Sequence, residues 1–167
     1  MIRKYGNILE QFTTPDRDKL LVFTANGVLD RKGRLIMGAG IAKEIRDKYP
    51  GVDEWFGNAL IRKSDILEKV ITYNKEEAHA FHFNILRGVY KGQSICALQT
   101  KLHFSNPSTL ELVSESLERL KQIMFAYKEV HLVMPGVGHG KLPLREVLPL
   151  VETLPDNCVV WSKRDMF

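Results

Sequence analysis

Apolar residues along this 167-residue chain alternate between short continuous runs and longer segments in which they recur every three or four positions. Continuous runs of this kind predict buried strands, and periodic segments predict helices. The strands are predicted at 21–25, 69–74, 78–86, 94–101, 130–135 and 157–161. The helices are predicted at about 39–48, 52–60, 108–128 and 143–154. Ser108 or Thr109 can cap the third helix, and Glu111 is placed for a capping box with Ser108.

The order of these elements predicts the fold class. Strands alternate with helices, and the central strands are apolar throughout, which indicates an α/β sandwich with a mostly parallel or mixed sheet. In such folds ligands bind at the carboxyl ends of the strands. The loops that follow Ala25, Thr100 and Pro135 are therefore the expected site.

Length and composition predict one domain over residues 1–167, because 44% of the residues are hydrophobic and no repeat or linker interrupts the chain. No stretch approaches the ~18 apolar residues of a membrane span, and the start lacks a signal peptide, so we expect a soluble, cytoplasmic protein. Cys96 and Cys158 lie in apolar runs and are predicted to be buried thiols. The formal charge of +4 favours an anionic partner without requiring nucleic acid.

Two of the three loops are rich in glycine and lead into a helix. Gly38-Ala39-Gly40 precedes the first helix, and PGVGHGKLP at 135–143 precedes the last. Small residues let a ligand approach the backbone, and the free N–H groups of a helix start favour phosphate. Two such loops at one sheet edge predict a diphosphate site. The chain lacks the P-loop pattern, and GAGIAK lacks the third glycine of a dinucleotide-binding turn, which excludes both classes.

Several motifs in order resemble those of a macrodomain, the ADP-ribose-binding module. They are Asn26, MGAGIAKEI with YPG after it, LQTK, a helix that begins at Ser/Thr, and VMPGVGHG. The resemblance covers roughly residues 4–161. The chain resembles one branch of that family in two features. It has MGAGIA in place of the commoner GGGVA, and it has a lysine in QTK. This branch includes terminal ADP-ribose protein glycohydrolases, antitoxin macrodomains that strip ADP-ribose from DNA, and phosphatases of ADP-ribose 1″-phosphate.

The resemblance implies a three-layer α/β/α sandwich with a central mixed sheet of about six strands. It implies that the loop from Asn26 to Ala42 brackets the distal ribose and one phosphate, and that the second glycine loop wraps the diphosphate. Gly6-Asn7-Ile8 stands where the family has a GDI motif that accepts the adenine amino group. The expected ligand-binding residues are Asn7, Ile8, Asn26, Gly38, Ala39, Gly40, Ile41, Thr100, Pro135, Gly136, Val137, Gly138, His139 and Gly140.

Four residues are catalytic candidates. In the similar hydrolases a lysine matching Lys101 lies near the anomeric carbon, and it can attack only as a free amine with a lowered pKa. The family's GCGLD-type sequence is Gly138-His139-Gly140-Lys141-Leu142 here, so its aspartate is absent. His139 can donate a proton or bind a terminal phosphate, and Asp30 is a further acid/base candidate unless it only forms an exposed turn. The fourth candidate, Asn26, would face the sugar.

These residues leave several functions open. One is removal of ADP-ribose from a protein or nucleic acid, centred on Lys101. Another is removal of phosphate from ADP-ribose 1″-phosphate, centred on Asn26 and His139, which the missing aspartate favours. A third is a non-catalytic reader of ADP-ribosylated partners. No cofactor or metal is expected, since His79 and His82 would lie on opposite faces of a predicted strand. His103 and Phe104 are additional candidates for the pocket, and the charged segment Asp30–Arg34 has no assigned role.

Overall fold

A computed structural model describes residues 1–64, 70–73 and 76–164 of the chain. The strands are β1 (Ile2–Tyr5), β2 (Lys19–Ala25), β3 (Val70–Tyr73), β4 (Glu76–His79), β5 (Ile85–Tyr90), β6 (Gln93–Gln99), β7 (Glu129–Val133) and β8 (Cys158–Ser162). The α-helices are α1 (Gly40–Lys48), α2 (Val52–Ser64), α3 (Leu110–Ile123) and α4 (Leu144–Val151). Short 3₁₀ helices lie at Ile8–Gln11, His82–Asn84, Met124–Ala126 and Gly138–Gly140.

Six strands form one mixed sheet in the order β1-β8-β7-β2-β6-β5. β5 is antiparallel to β6, whereas the other neighbouring pairs are parallel. β3 and β4 form a separate antiparallel pair. The predicted sandwich with a mixed sheet of about six strands is confirmed. Because β2, β6, β7 and β8 are parallel, their carboxyl ends meet at one edge of the sheet.

The sheet separates two hydrophobic cores, since alternate side chains of a strand point to opposite faces. On β2, Leu21 and Phe23 pack in one core with residues of α1 and α2. Leu20 and Val22 pack in the other core with residues of α3 and α4. The continuous apolar run of β2 thus reflects burial on both faces. Cys96 and Cys158 are buried thiols outside any disulfide, as predicted, and burial raises the pKa of the Cys158 thiol to about 12.

The predicted strand at 78–86 is wrong, because the chain breaks there. It leaves β4 at His79, forms a 3₁₀ turn, and enters β5 at Ile85. Phe83 and Asn84 have φ values of 57° and 67°, which end any extended run. The Gln99 side chain fixes this break: its amide donates to the His79 carbonyl at 2.9 Å, and its oxygen accepts from the Phe81 N–H at 2.8 Å. His79 and His82 therefore do not share a strand.

Other boundaries shift by smaller amounts. α2 extends to Ser64, four residues beyond the predicted end at 60, and positions 69 and 74 of the second predicted strand lie outside the described residues. Thr109 caps α3 by accepting from the Leu112 N–H at 3.2 Å, so the predicted capping box with Ser108 does not form. β1 has four exposed residues and no apolar pattern, which is why the sequence did not indicate it. Among the described residues, no helix has the length and apolarity needed to cross a membrane.

Candidate functional site

A cavity of about 770 Å³ opens at the edge where the parallel strands end. Residues at or just beyond these carboxyl ends form its floor: Ala25 at the end of β2, Thr100 after β6, Met134 after β7 and Ser162 at the end of β8. Two loops form its walls, and both are glycine-rich. The cavity therefore occupies the position that the order of elements predicts for a ligand site.

The first wall is the loop 26–39 followed by the start of α1. Gly38, Ala39, Gly40 and Ile41 all line the cavity. Ala39 is the N-cap of α1, and its side chain makes no capping hydrogen bond to the first-turn N–H groups. These N–H groups and the positive end of the helix dipole thus face the cavity, which suits an anion.

The first loop is anchored in the protein core. Val28, Leu35 and Met37 are at most 2% exposed. The Leu35 N–H donates to the Asp53 carbonyl of α2 at 3.0 Å. The signal available in the sequence was the apolar residues on both sides of DRKGR, Val28-Leu29 before it and Leu35-Ile36-Met37 after it, and it was missed. The loop holds its glycines in a fixed place.

Asn26 and Asp30 both use their side chains to build this loop. The Asn26 amide donates to the Ile36 carbonyl at 3.0 Å, and its oxygen accepts from the Val28 N–H at 2.9 Å. Asn26 still lines the cavity. Asp30 lies in a neighbouring groove, where its carboxylate accepts from the Arg34 guanidinium at 2.7 Å and from the Arg34 N–H at 2.9 Å. Partial burial would raise the pKa of Asp30, but these hydrogen bonds hold it below its ordinary value.

The second wall is the loop that follows β7. Gly136 and Gly138 have φ values of 76° and 78°, a backbone conformation that favours glycine. The His139 ring reaches across to the first wall, since a Cβ atom built on Gly40 would lie 3.2 Å from its Cδ2 atom. A backbone hydrogen bond fixes the position of Gly140, because its carbonyl accepts from the Ser108 N–H at 2.9 Å. The two glycine loops therefore meet above the strand ends.

Lys101 stands between the two walls. It follows Thr100 at the end of β6, is half-buried, and lines the cavity. Burial lowers the pKa of the Lys101 ammonium group, and the nearby positive charge of Lys141 lowers it further. A lowered pKa is the property that attack by a free amine requires. No carboxylate of the described residues lies within ion-pair distance of Lys101.

The charges that line the cavity are all positive. Lys101 and Lys141 lie in its wall, and Lys163 lies at the β8 end, where it pairs with Glu44 at 2.5 Å. None of the residues that line the cavity is an aspartate or a glutamate. An anion in this cavity would therefore meet helix N–H groups and lysines, with no opposing carboxylate in the lining.

Most of the predicted ligand residues share this cavity. Those that line it are Ile8, Asn26, Gly38, Ala39, Gly40, Ile41, Thr100, Gly136, Val137, Gly138, His139 and Gly140. Asn7 is exposed outside the lining, and its side-chain oxygen accepts from the Leu9 N–H at 3.0 Å. Pro135 is buried behind the second loop and is also outside the lining. Phe104 lines the cavity, whereas His103 lies beneath it, 1% exposed.

Trp161 is a lining residue that sequence reasoning did not select. Its indole N–H donates to Nδ1 of His131 at 3.0 Å, and Nε2 of His131 lies 3.0 Å from the Glu129 carboxylate. Nδ1 must then be unprotonated, so the neutral ring donates from Nε2. Burial lowers the pKa of His131, although Glu129 opposes the shift. The sequence did not indicate that Trp161 lines a cavity. An apolar residue at the end of a strand has the same sequence pattern whether it packs in the core or faces a cavity.

The part of the chain that the structure describes contains no group of three or more His, Cys, Asp or Glu side chains placed to share an ion. The cavity offers a ligand backbone N–H groups, lysines and an apolar floor.

The mixed six-stranded sheet, with a glycine-walled cavity at its carboxyl edge, has the architecture of the macrodomain fold. Neither a protein-family model nor a curated protein sequence matches the chain. Solved structures do. The Mycobacterium tuberculosis DarG macrodomain matches with a TM-score of 0.63 and 23% identity over 96% of this chain and 97% of that one. The Thermus aquaticus DarG macrodomain matches with a TM-score of 0.63 and 26% identity over 96% of each chain.

A further similar structure holds a ligand. Thermosipho africanus DarTG in complex with ADP-ribose matches with a TM-score of 0.65 and 17% identity, over 96% of this chain and 41% of that one. The chain therefore has the macrodomain fold, and within that fold it is similar to the DarG macrodomains.

The substitution Gly38→Ala is expected to weaken ligand binding without lowering the stability of the fold. A Cβ atom on Gly38 would have nothing within 4 Å, and Gly38 does not have a positive φ. We expect the melting temperature to stay within about 2 °C of the wild type, since nothing is displaced. We expect affinity for a diphosphate ligand to fall about tenfold, because the new methyl group stands where phosphate would approach the backbone. Differential scanning fluorimetry and calorimetry measure the two effects, and unchanged affinity would contradict close approach at Gly38.

Proposed function

We propose that this macrodomain binds ADP-ribose in the cavity and hydrolyses the bond between the distal ribose C1″ and its substituent. The observation that carries the proposal is Lys101, a half-buried lysine with a lowered pKa between two glycine loops. Binding alone would not require an amine with these properties.

The proposed pose follows from charge and shape. The uncapped start of α1 and the second glycine loop would hold the diphosphate from opposite sides. Lys101 then lies beside the ribose that follows the diphosphate. The apolar floor near Ile8 and Trp161 suits the flat adenine ring at the other end. Asn7, occupied in capping a 3₁₀ helix, would need to give up that bond to accept the adenine amino group.

The proposed reaction uses the Lys101 amine as nucleophile. Its nitrogen forms a bond to C1″ while the bond from C1″ to the leaving group breaks. The leaving group takes up the proton that the attacking nitrogen releases. Water then adds at C1″, the C–N bond breaks, and the free amine and ADP-ribose are regenerated. The sum is addition of one water across the original bond, and the substrate is an ADP-ribosylated protein or nucleic acid.

Phosphate release from ADP-ribose 1″-phosphate is a second candidate, and one observation favours it. Lys101 and Lys141 have no carboxylate partner among the described residues, so a terminal phosphate would be stabilised by both. His139 would act as the proton donor. Asn26 is less suited to act on the 1″-phosphate, because the nitrogen and the oxygen of its side-chain amide already form hydrogen bonds within the first loop.

Titration calorimetry with ADP-ribose and with AMP tests the shared basis of both candidates. We expect ADP-ribose to bind at micromolar concentration and AMP at least tenfold more weakly, because AMP lacks the second phosphate and the distal ribose. No binding of ADP-ribose at millimolar concentration would overturn the proposal.

Turnover assays then separate the activities. Loss of ADP-ribosyl release in Lys101→Ala, with His139→Ala active, selects the glycohydrolase. Loss of phosphate release from the 1″-phosphate in His139→Ala, with Lys101→Ala active, selects the phosphatase. Binding without either activity indicates a reader of ADP-ribosylated partners.

A further inference from the structure

His131 is a buried titratable side chain that the proposed reaction does not use. It lies on β7 and is 4% exposed. Its Nδ1 atom accepts from the indole N–H of Trp161 at 3.0 Å, and Trp161 lines the cavity whereas His131 does not. The His131 ring is therefore one hydrogen bond away from a surface that a ligand would touch.

Neighbouring groups hold the His131 ring in one orientation. The ring stacks with the Trp161 ring at a centroid distance of 6.1 Å, and the Phe12 ring packs nearly perpendicular to it with centroids 5.3 Å apart. Its Nε2 atom lies 3.0 Å from the Glu129 carboxylate, which Lys19 of β2 approaches at 3.5 Å. Because an indole N–H can only donate, Nδ1 must offer its lone pair, and Nε2 carries the hydrogen of the neutral ring.

Protonation of His131 would break this arrangement. A charged imidazole carries a hydrogen on both ring nitrogens, so Nδ1 would present an N–H to the indole N–H. The indole of Trp161 would lose its acceptor, and a buried donor without a partner destabilises the position that leaves it so. Neutral His131 and the observed position of Trp161 therefore require each other.

Few charges act on the His131 ring. The titratable groups on the surrounding elements are Lys4 of β1, Lys19 of β2, Glu129 of β7, Cys158 of β8 and Glu10 of the 3₁₀ helix Ile8–Gln11. Cys158 lies in the core on the opposite face of the sheet, and Glu10 is exposed. The charges that act on the ring are those of the two lysines and Glu129.

These groups set the direction in which the protonation of His131 is shifted. Burial is the largest effect and lowers the pKa of His131 below its ordinary value of 6.5. Glu129 opposes this shift, whereas Lys19 and Lys4 add to it. The hydrogen bond from His131 lowers the pKa of Glu129, so Glu129 stays a carboxylate while His131 titrates. His131 is therefore neutral at neutral pH and becomes charged in acid.

The proposed pose places adenine at this end of the cavity, near Ile8 and Trp161. Contact between two flat rings depends on their relative position and tilt, so the base needs an indole that stays in place. The indole cannot keep this position once His131 is charged. Affinity for an adenine ligand is thus linked to the protonation of a side chain outside the cavity lining.

We propose that His131 is a positioning residue for adenine: the neutral ring fixes the Trp161 indole in the cavity floor, and the protonated ring releases it and weakens binding. The inference rests on the proposed function, which assigns adenine to this end of the cavity. His131 acts through Trp161 and takes no part in bond cleavage at Lys101.

The fluorescence of Trp161 in the ligand-free protein tests this positioning by itself. The chain has two tryptophans, so Trp55→Phe leaves Trp161 as the single emitter. We expect the emission to change along one titration with a midpoint below pH 6.5, the ordinary histidine value. His131→Asn should give a flat profile, because the asparagine Oδ1 atom accepts from the indole but does not titrate. A flat wild-type profile, or the same titration in His131→Asn, overturns the inference.

Calorimetry with ADP-ribose measures the effect on binding. One pH unit below the pKa of His131, the affinity should have fallen by up to about tenfold, which is the limit that linkage to one proton allows. His131→Asn should bind within about threefold of the wild type at neutral pH and lose this part of the pH dependence. His139 lines the cavity and is present in both proteins, so the difference between their pH profiles isolates His131.

Two variants complete the comparison. His131→Leu removes the acceptor without replacing it, so it should bind ADP-ribose at least about fivefold more weakly than the wild type at neutral pH. His82→Asn is the matched control, because His82 lies outside the cavity lining, and it should keep the wild-type pH profile.

The outcomes separate this inference from the proposed function. If the wild type and His131→Asn share one pH profile for ADP-ribose, or if His131→Leu binds as the wild type does, the inference alone is overturned. If ADP-ribose fails to bind at millimolar concentration and neutral pH, the proposed function is overturned. The fluorescence titration needs no ligand and still tests whether His131 fixes Trp161.

Discussion

Lys101→Ala is expected to lower the turnover of an ADP-ribosylated substrate by a factor on the order of 10³ or more while the affinity for ADP-ribose changes by less than about threefold. The reason is that the amine would form the bond to C1″, whereas the diphosphate would be held mainly by backbone N–H groups. Single-turnover release of ADP-ribose measures the first quantity, and calorimetry measures the second.

The pH dependence of the same reaction reports the protonation of Lys101. Only the neutral amine can attack, so the rate should rise as the pH increases through the pKa of Lys101. That pKa lies below the ordinary lysine value of 10.5, because burial disfavours the charged form and Lys141 repels it. Removing the Lys141 charge in Lys141→Met should move the rise to higher pH.

Two controls belong with this prediction. Lys101→Arg keeps a positive charge but cannot supply a free amine, so it should be as inactive as Lys101→Ala. Lys43→Ala, at an exposed position of α1 outside the cavity lining, should be fully active. An active Lys101→Arg enzyme would show that charge alone is required, and the nucleophile would then have to be water.

Gly57→Ala should lower the free energy of unfolding by about 3 kcal/mol, even though alanine is ordinarily the better helix residue by about 1 kcal/mol. Gly57 lies within α2, where a Cβ atom would stand 1.9 Å from the carbonyl oxygen of Gly33 in the first loop. A backbone carbonyl cannot move aside as the end of a flexible side chain can. The loop or the helix must move, and we expect a fall in melting temperature of roughly 6–12 °C.

Asn58→Ala provides the comparison, because Asn58 is the next residue of α2 and is exposed. That substitution should be neutral or slightly stabilising. Since the first loop carries one wall of the cavity, Gly57→Ala should also weaken binding of ADP-ribose. A Gly57→Ala protein as stable as the wild type would mean that α2 and the first loop do not pack as closely as described.

The sequence allowed the sheet and the cavity to be anticipated because both depend on local patterns. Apolar runs marked the central strands, and glycines before helix starts marked the two walls. Motifs in order then gave the likeness to macrodomains, which the solved structures confirm. A lowered pKa of Lys101 could be named as a requirement for attack by its amine. The sequence alone could not predict that shift, since it depends on burial in three dimensions.

The features that were missed depend on contacts between distant segments. Gln99 breaks the predicted strand at 78–86, because its side chain hydrogen-bonds to the backbone of His79 and Phe81. The apolar pattern of that segment does not reveal hydrogen bonds made by a side chain from another part of the chain. β1 is held by backbone pairing to β8, so its exposed side chains carry no pattern. Trp161 reaches the cavity only because β8 ends there.

The bracing of the two walls has a consequence for binding entropy. The Leu35 N–H ties the first loop to α2, and the Gly140 carbonyl ties the second loop to Ser108. A ligand that enters such a site does not have to order its walls, so the conformational cost of association is small. The movable part at the junction of the walls is the exposed imidazole of His139, next to Gly40. Rotation of such an exposed side chain takes picoseconds to nanoseconds, which is faster than the opening of a loop.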